Sequence, residues 1–139
     1  MTETQGVAQW IYTTLTKSPA IGSAVGARVY EDHAPEVVTR PFICYQLVSS
    51  FDNLVCGTAH AGTEQEWFVY GVCQSQSYVT VDNIASLIDA ALNGVVGGTA
   101  VTGMTVTCRR TEAMRYTHVE DGKTWKYAGG YYRVFAGTT

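Results

Sequence analysis

The chain has 139 residues, of which 46% are hydrophobic and only 15% charged, with a formal net charge of −3. That length suits one domain, residues 1–139, able to bury a core without a disulfide or metal staple. The acidic balance excludes a phosphate-gripping surface even though Arg109, Arg110 and Arg115 cluster. The sparse charge leaves little to solvate a lone subunit, so part of the surface is expected to be buried against other subunits.

In chain order, small polar residues at positions 2–5 introduce a helix whose apolar stripe is Val7, Trp10, Ile11 and Leu15. Ser18-Pro19 restarts the chain as N-cap and first helical residue, and Gly26 ends a short turn of helix over Ala20–Val25. Arg28–Glu31 reads as a short strand, Asp32–Arg40 as a polar loop, and Phe42–Val48 as a strong strand opened by Pro41. Ser49–Gly62 is expected to be a long loop, after which strand character peaks in Trp67-Phe68-Val69-Tyr70-Gly71-Val72-Cys73. Gln74–Ser77 caps a second main helix, with Val81, Ile84, Leu87, Ile88, Ala91 and Leu92 at helical spacing and Asn93-Gly94 as its stop. Gly97-Gly98 reads as loop. Two long strands follow, near Thr105–Thr117 and Trp125–Ala136, joined at an Asp121-Gly122 hairpin turn. The order implies an α+β domain: a single, mostly antiparallel sheet with two main helices packed on it.

No motif in this order carries chemistry. Cys44, Cys56, Cys73 and Cys108 make no C-x-x-C and stand at no zinc spacing from a histidine, so reduced thiols in a reducing compartment are expected. His33, His60 and His118 fall in loops or near the hairpin tip, with no convergent ligands. Neither a metal nor a cofactor is expected. Glu64 and Glu66 share one strand face, which an acid–base pair could use; a charged edge that discourages wrong strand pairing explains them with less. No elbow around a nucleophilic serine and no phosphate loop occurs, and the chain is read as no enzyme. No apolar run approaches the roughly 18 residues of a membrane span, and the first residues lack the pattern of a secretory leader.

The last hairpin is crowded with rings. Alternation puts Trp125, Tyr127, Tyr131, Arg133 and Phe135 on one face, and Lys126, Ala128, Tyr132 and Val134 on the other. One face meets the helices; the other is free to meet a neighbouring subunit, since Trp, Tyr and Arg anchor interfaces. Trp125, Tyr127, Tyr131 and Arg133 are therefore candidate interface residues, against the alternative of a two-sided core with surface tyrosines.

Taken together, the first helix ending in Leu15, Ser18-Pro19-Ala20-Ile21, Ala27-Arg28-Val29-Tyr30, Arg40-Pro41-Phe42-Ile43-Cys44-Tyr45, Trp67-Phe68-Val69-Tyr70, the Ser77–Leu92 helix and the closing strands resemble the tail-completion (tail-terminator) family of long-tailed bacteriophages. The resemblance spans about residues 5–136 and rests on order and spacing. It implies a structural virion protein at the head-proximal end of the tail, assembled in the host bacterial cytoplasm. Such proteins form a ring, usually a hexamer, which ends the tail tube and receives the head–tail connector or stopper protein while DNA passes through the lumen unbound. The family has no catalytic residues to carry over. Partner contacts are expected from the two loops, through Asp32, His33, Glu36 and Arg40 in one and Asp52, Asn53 and His60 in the other. Another neck component, such as a head-closure or adaptor protein, is the nearest alternative, and a small-ligand-binding α+β module a more distant one.

Overall fold

A computed structural model describes residues 3–35, 41–54, 60–101 and 104–138, without the side chains of residues 3, 52–54, 60–61, 97–101 and 138. Its elements are α1 (Glu3–Lys17), α2 (Pro19–Val25), β1 (Val29–Glu31), β2 (Phe42–Leu54), β3 (His60–Gln74), α3 (Val79–Leu92), β4 (Val95–Val101), β5 (Met104–Glu120) and β6 (Lys123–Thr138). The six strands form one sheet in the order β1-β2-β3-β6-β5-β4. α1 and α3 contact its strands, α2 packs on α1 and α3, and the core they share with the sheet lies on one face.

The α1 stripe read from sequence, Val7, Trp10, Ile11 and Leu15, is buried against Ile21 and Val25 of α2, Ile84, Ile88 and Leu92 of α3, and alternate residues of the sheet. Those sheet residues are Ile43 and Tyr45 of β2, Trp67 and Val69 of β3, Val106 and Cys108 of β5, and Tyr132, Val134 and Ala136 of β6. Full burial of each large side chain is worth about 1.5–3 kcal/mol, which makes this layer the main source of stability. Two polar contacts accompany it, the first buried and the second at its margin. Trp67 Nε1 donates to Gln65 Oε1 at 2.8 Å, and the Tyr132 hydroxyl donates to Asp89 Oδ1 at 3.3 Å.

Capping follows the sequence reading in part. Ser18 caps α2, its hydroxyl oxygen accepting from the Ile21 N–H at 3.3 Å, and Gly26 closes the helix at φ 64°. At α3 the cap position is Tyr78, while Ser77 Oγ accepts from the Val79 N–H at 3.2 Å. The expected hairpin turn is present: Asp121 and Gly122 adopt φ 52° and 73°, the pair of positive angles that a type I′ turn requires.

One expectation is refined, the mostly antiparallel sheet having one parallel pair, and two are corrected. The sheet is mixed, because β1 runs parallel to β2 in the register Val29↔Ile43, Tyr30↔Cys44 and Glu31↔Tyr45. Arg28 pins the two segments in the same direction: its carbonyl accepts from the Ile43 N–H and its Nε donates to the Pro41 carbonyl, each at 2.9 Å. Second, Ser49–Gly62 is not a loop throughout. β2 and β3 stay paired as far as Asn53↔Gly62 and Leu54↔His60, with register shifts at Leu47/Ser49 and Asn53/Leu54 that hide the alternation. Third, the expected loop around Gly97-Gly98 belongs to β4, an edge strand paired with β5 through two register shifts.

Two glycines are required by close approach. A Cβ on Gly71 would lie 2.6 Å from Ile84 Cγ2, so the bare backbone lets α3 close on β3. A Cβ on Gly129 would collide with the Val69 carbonyl oxygen and with Tyr70 Cα and Cβ, so the β3 backbone itself stands in the way.

Candidate interface: the uncovered aromatic face

Alternation that sends Trp67, Val69 and Tyr132 toward the helices sends Phe68, Tyr70 and Tyr131 to the opposite face of the sheet. No element among the described residues covers that face. Five rings run across it in sequence. Tyr131 stacks on Phe68 at 4.9 Å between centroids, Phe68 on Tyr70 at 4.5 Å, and Tyr70 meets Tyr127 at 6.0 Å. Tyr127 in turn stacks on Tyr116 at 4.5 Å with the ring planes only 5° apart. Such pairs add about 0.5–1.5 kcal/mol each beyond area burial, so the rings hold one another in place without a helix above them.

The ladder is flanked by a smaller buried cluster of Phe42, Cys44 and Val72, against which Tyr30, Trp125 and Tyr127 pack. Toward the other end lie Phe51 and Phe135, 48% and 38% exposed, with Tyr116 at 41% on the hairpin. The same end carries charge: Arg133 Nη1 lies 3.4 Å from Glu64 Oε1. Trp125, Tyr127, Tyr131 and Arg133, the candidate interface residues, thus share one face, as alternation requires, each of them half-buried. Sequence reasoning missed Phe68, Tyr70, Phe51 and Tyr116 as members. The alternation within Trp67-Phe68-Val69-Tyr70 carried the signal for two of them. Glu64 and Glu66 do share a face, but β3 is interior to the sheet, so the edge-guarding explanation is replaced by an ion pair with Arg133.

Electrostatics on this face favour neutral groups. Burial pushes the Cys44 thiol up to about 11, although a hydrogen bond with Tyr70 pulls the other way. The Tyr70, Tyr116 and Tyr127 hydroxyls are also raised, in each case chiefly by burial. On the helix side the Cys108 thiol rises to about 12 for the same reason. Each of these groups is a poorer nucleophile than in water, because only the ionised form attacks. Cys44, Cys73 and Cys108 are free thiols and buried; Cys56 lies outside the described residues.

The loop candidates are dispersed. Asp32 follows β1 with φ 69°, its N–H donating to the Tyr45 carbonyl at 2.7 Å, and its exposed carboxylate lies 3.4 Å from His33 Nδ1. Glu36 and Arg40 lie outside the described residues. Asp52, Asn53 and His60 are not in a loop but at the far end of the β2–β3 hairpin, where Asp52 pairs with Thr63, Asn53 with Gly62 and Leu54 with His60. Seven residues of β2 separate Asp52 from Tyr45, about 23 Å at the usual rise per residue, so the two groups lie at opposite ends of the sheet. His118 sits near the hairpin tip, 3.5 Å from Glu120.

One groove of about 530 Å³ lies between α3 and the β5–β6 hairpin. Its charges answer one another: Arg110 pairs with Asp89 at 3.4 Å and Arg115 with Asp82 at 3.0 Å. Arg115 and Lys126 each stand 4.4 Å from the centre of the Tyr78 ring. These contacts tie α3 to the hairpin. Among the described residues no group of three potential ligands is placed to hold a metal ion. No described helix is long and apolar enough to cross a membrane.

No family model matches the chain, and no curated protein matches it. Solved structures do share its fold. Over 91% of this chain and 92% of the other, it is similar to a chain from the virion of a native gene transfer agent particle, with a TM-score of 0.69 and 15% identity. A second solved structure, which carries no functional name, is similar over 94% of both chains, with a TM-score of 0.60 and 13% identity.

Proposed function

We propose that this protein is a structural virion component of a phage-like particle that assembles as a ring, ends the tail tube and joins it to the head connector. The observation that carries the proposal is a fold shared almost end to end with a chain of a gene transfer agent virion, in a molecule whose sheet carries a ladder of five aromatic rings on the face away from the helices. A contiguous apolar surface of that kind is the mark of a partner still to be added.

In this reading Trp125, Tyr127, Tyr131 and Arg133 belong to the contact between subunits, the rings supplying area and Arg133 supplying direction. Asp32 and His33 at one end of the sheet, and the β2–β3 tip with Asp52, Asn53 and His60 at the other, are placed to reach different partners, the tube on one side and the connector on the other. DNA crosses the lumen unbound, because a wall of net negative subunits does not hold phosphates. The protein acts by shape and adhesion and not as a catalyst.

The test is the mass of the purified protein alone and with tail-tube protein, together with the length distribution of the tubes formed. A closed ring that caps tubes is expected. A strict monomer without effect on tube length overturns the proposal, and a ring that binds the head connector but ignores tubes reassigns the protein to another position in the neck.

A further inference from the structure

We infer that neighbouring copies in the assembly are joined by an antiparallel β-ladder between the free edge of β5 in one subunit and the free edge of β2 in the next; the inference rests on the ring reading above. The sheet order makes β1 and β4 its outer strands, yet neither covers the strand it flanks. β1 pairs only with Ile43–Tyr45, and β4 reaches β5 only between Met104 and Cys108. Among the described residues, β5 therefore has no strand partner on its outer side over Thr111–Glu120, and β2 has none over Gln46–Leu54.

The β5 stretch differs from the edges the protein protects, and the β2 stretch, though shifted in register at Leu47/Ser49 and Asn53/Leu54, keeps five paired residues in a row over Ser49–Asn53. β1 is three residues long, and β4 is broken by register shifts and carries Gly97-Gly98; both devices blunt an edge. On β5 the bulge between Arg110 and Glu112 comes first, and Glu112–Glu120 then runs in unbroken register with β6. That run contains no proline and no lysine, the residues that commonly guard an exposed edge. Gln46–Leu54 also lacks proline and lysine, and it has no arginine, whereas the β5 run carries Arg115, paired with Asp82 of α3.

Directions decide the occupant. β2, β3, β6 and β5 alternate in sense across the sheet, so β2 and β5 run oppositely. A second copy placed beside the first without being turned over, and shifted along the strands so that the two free stretches meet, therefore presents its β2 antiparallel to the first copy's β5. The free stretches lie at diagonally opposite corners of the sheet: Gln46–Leu54 is level with the β4-covered part of β5, whereas Ala113–Glu120 is level with the β1-covered part of β2. Each copy offers one edge to each neighbour. The contact is head-to-tail and repeats, and it closes into a ring where the strands tilt enough for the rotation between copies to absorb the shift; a two-fold dimer does not use such a contact.

The type I′ turn makes Glu120–Lys123 a hydrogen-bonded pair, so alternation turns the N–H and C=O groups of Ala113, Arg115, Thr117 and Val119 away from β6. Proline at Ala113 or Val119 thus removes an outward donor while leaving the bonds to β6. The experiment measures residue-resolved amide exchange in assembled wild-type protein and the concentration dependence of assembly for Ala113→Pro and Val119→Pro. Expected are slowed exchange at the four outward amides on assembly and a rise of about tenfold or more in the concentration needed to assemble. Rings in which those amides exchange as fast as in the monomer overturn the ladder and leave the ring standing. Folded proline variants that assemble like wild type do the same. If a proline variant fails to fold, exchange in the wild type decides alone. A wild type that never assembles, alone or with tube protein, overturns the ring and the ladder together.

Discussion

At the residue scale, the two close-approach glycines are separated by what would have to move. Gly71→Ala drives a methyl against the side chain of Ile84, which can shift, and is expected to cost about 1–3 kcal/mol, the usual range for overpacking. Gly129→Ala meets the backbone of Val69 and Tyr70, which cannot yield without breaking the β3–β6 ladder, and is expected to cost more than Gly71→Ala. Urea unfolding of the two variants checks the order. Combining Gly71→Ala with Ile84→Ala should restore part of the loss from overpacking, and no such partner exists for Gly129.

The buried thiols predict alkaline sensitivity. Burial raises Cys44 from 9.0 to about 11 and Cys108 from 9.0 to about 12. Above pH 9 the unfolded chain releases these protons while the folded chain keeps them. The folded state then binds more protons, so stability is complete below pH 9 and falls as pH rises toward 11 and 12. The slope approaches about 1.4 kcal/mol per pH unit for each thiol. Urea midpoints between pH 8 and 10.5 under reducing conditions should fall, and Cys108→Ala, though less stable at pH 8, should lose less over the same interval. An equal loss in both proteins rejects the linkage to Cys108.

At the scale of elements, local signals were strong wherever the chain's chemistry is local. Ser18, Gly26, the α1 and α3 stripes and the Asp121-Gly122 turn were all legible because a cap, a 3.6-residue period or a positive φ leaves its mark within a few residues. Ser18→Ala should cost about 1 kcal/mol through loss of the bond to the Ile21 N–H, measured by thermal unfolding. What was not legible depends on pairing. Extension of the β2–β3 hairpin through Ser49-Ser50 and Thr63 is carried by the partner strand and not by apolar alternation. Thr63 and Gln65 are buried polar residues on the helix side, which removes the two-residue pattern that would have announced a strand. β4 was hidden by its glycines for a related reason: an edge strand with two register shifts has little period to show. The parallel sense of β1 could not be read at all, since it is fixed by long-range bonds from Arg28 to Ile43 and Pro41.

At the scale of the whole molecule, the candidate interface was half legible. The closing strands announce their two faces, but the rings of β3 that complete the ladder read only as strand, because nothing in sequence says which side the helices take. The ladder itself makes a prediction that separates folding from assembly. Tyr131→Ser removes a central ring from a half-exposed site and is expected to lower stability by about 1–2 kcal/mol, within the common range for single substitutions. If the face is buried between subunits, the same change should also weaken assembly at concentrations where the variant is still fully folded, as read by light scattering beside circular dichroism. Loss of stability with unchanged assembly removes Tyr131 from the interface.

The central seam of the sheet has a kinetic consequence. β2–β3 and β5–β6 are each closed by neighbouring sequence, but the β3–β6 joint brings Gln65 to Val134 and Tyr70 to Gly129, and α3 must pass over the top before it can form. Two prefabricated halves therefore wait on one distant encounter, and sheets dominated by such encounters mature slowly. During that wait the inner margin of each half is unsatisfied, so a newly made chain is most prone to misassociate before it has become a protomer at all. A slow refolding phase that lengthens in Gly129→Ala and is indifferent to Ser18→Ala would locate the bottleneck at that seam.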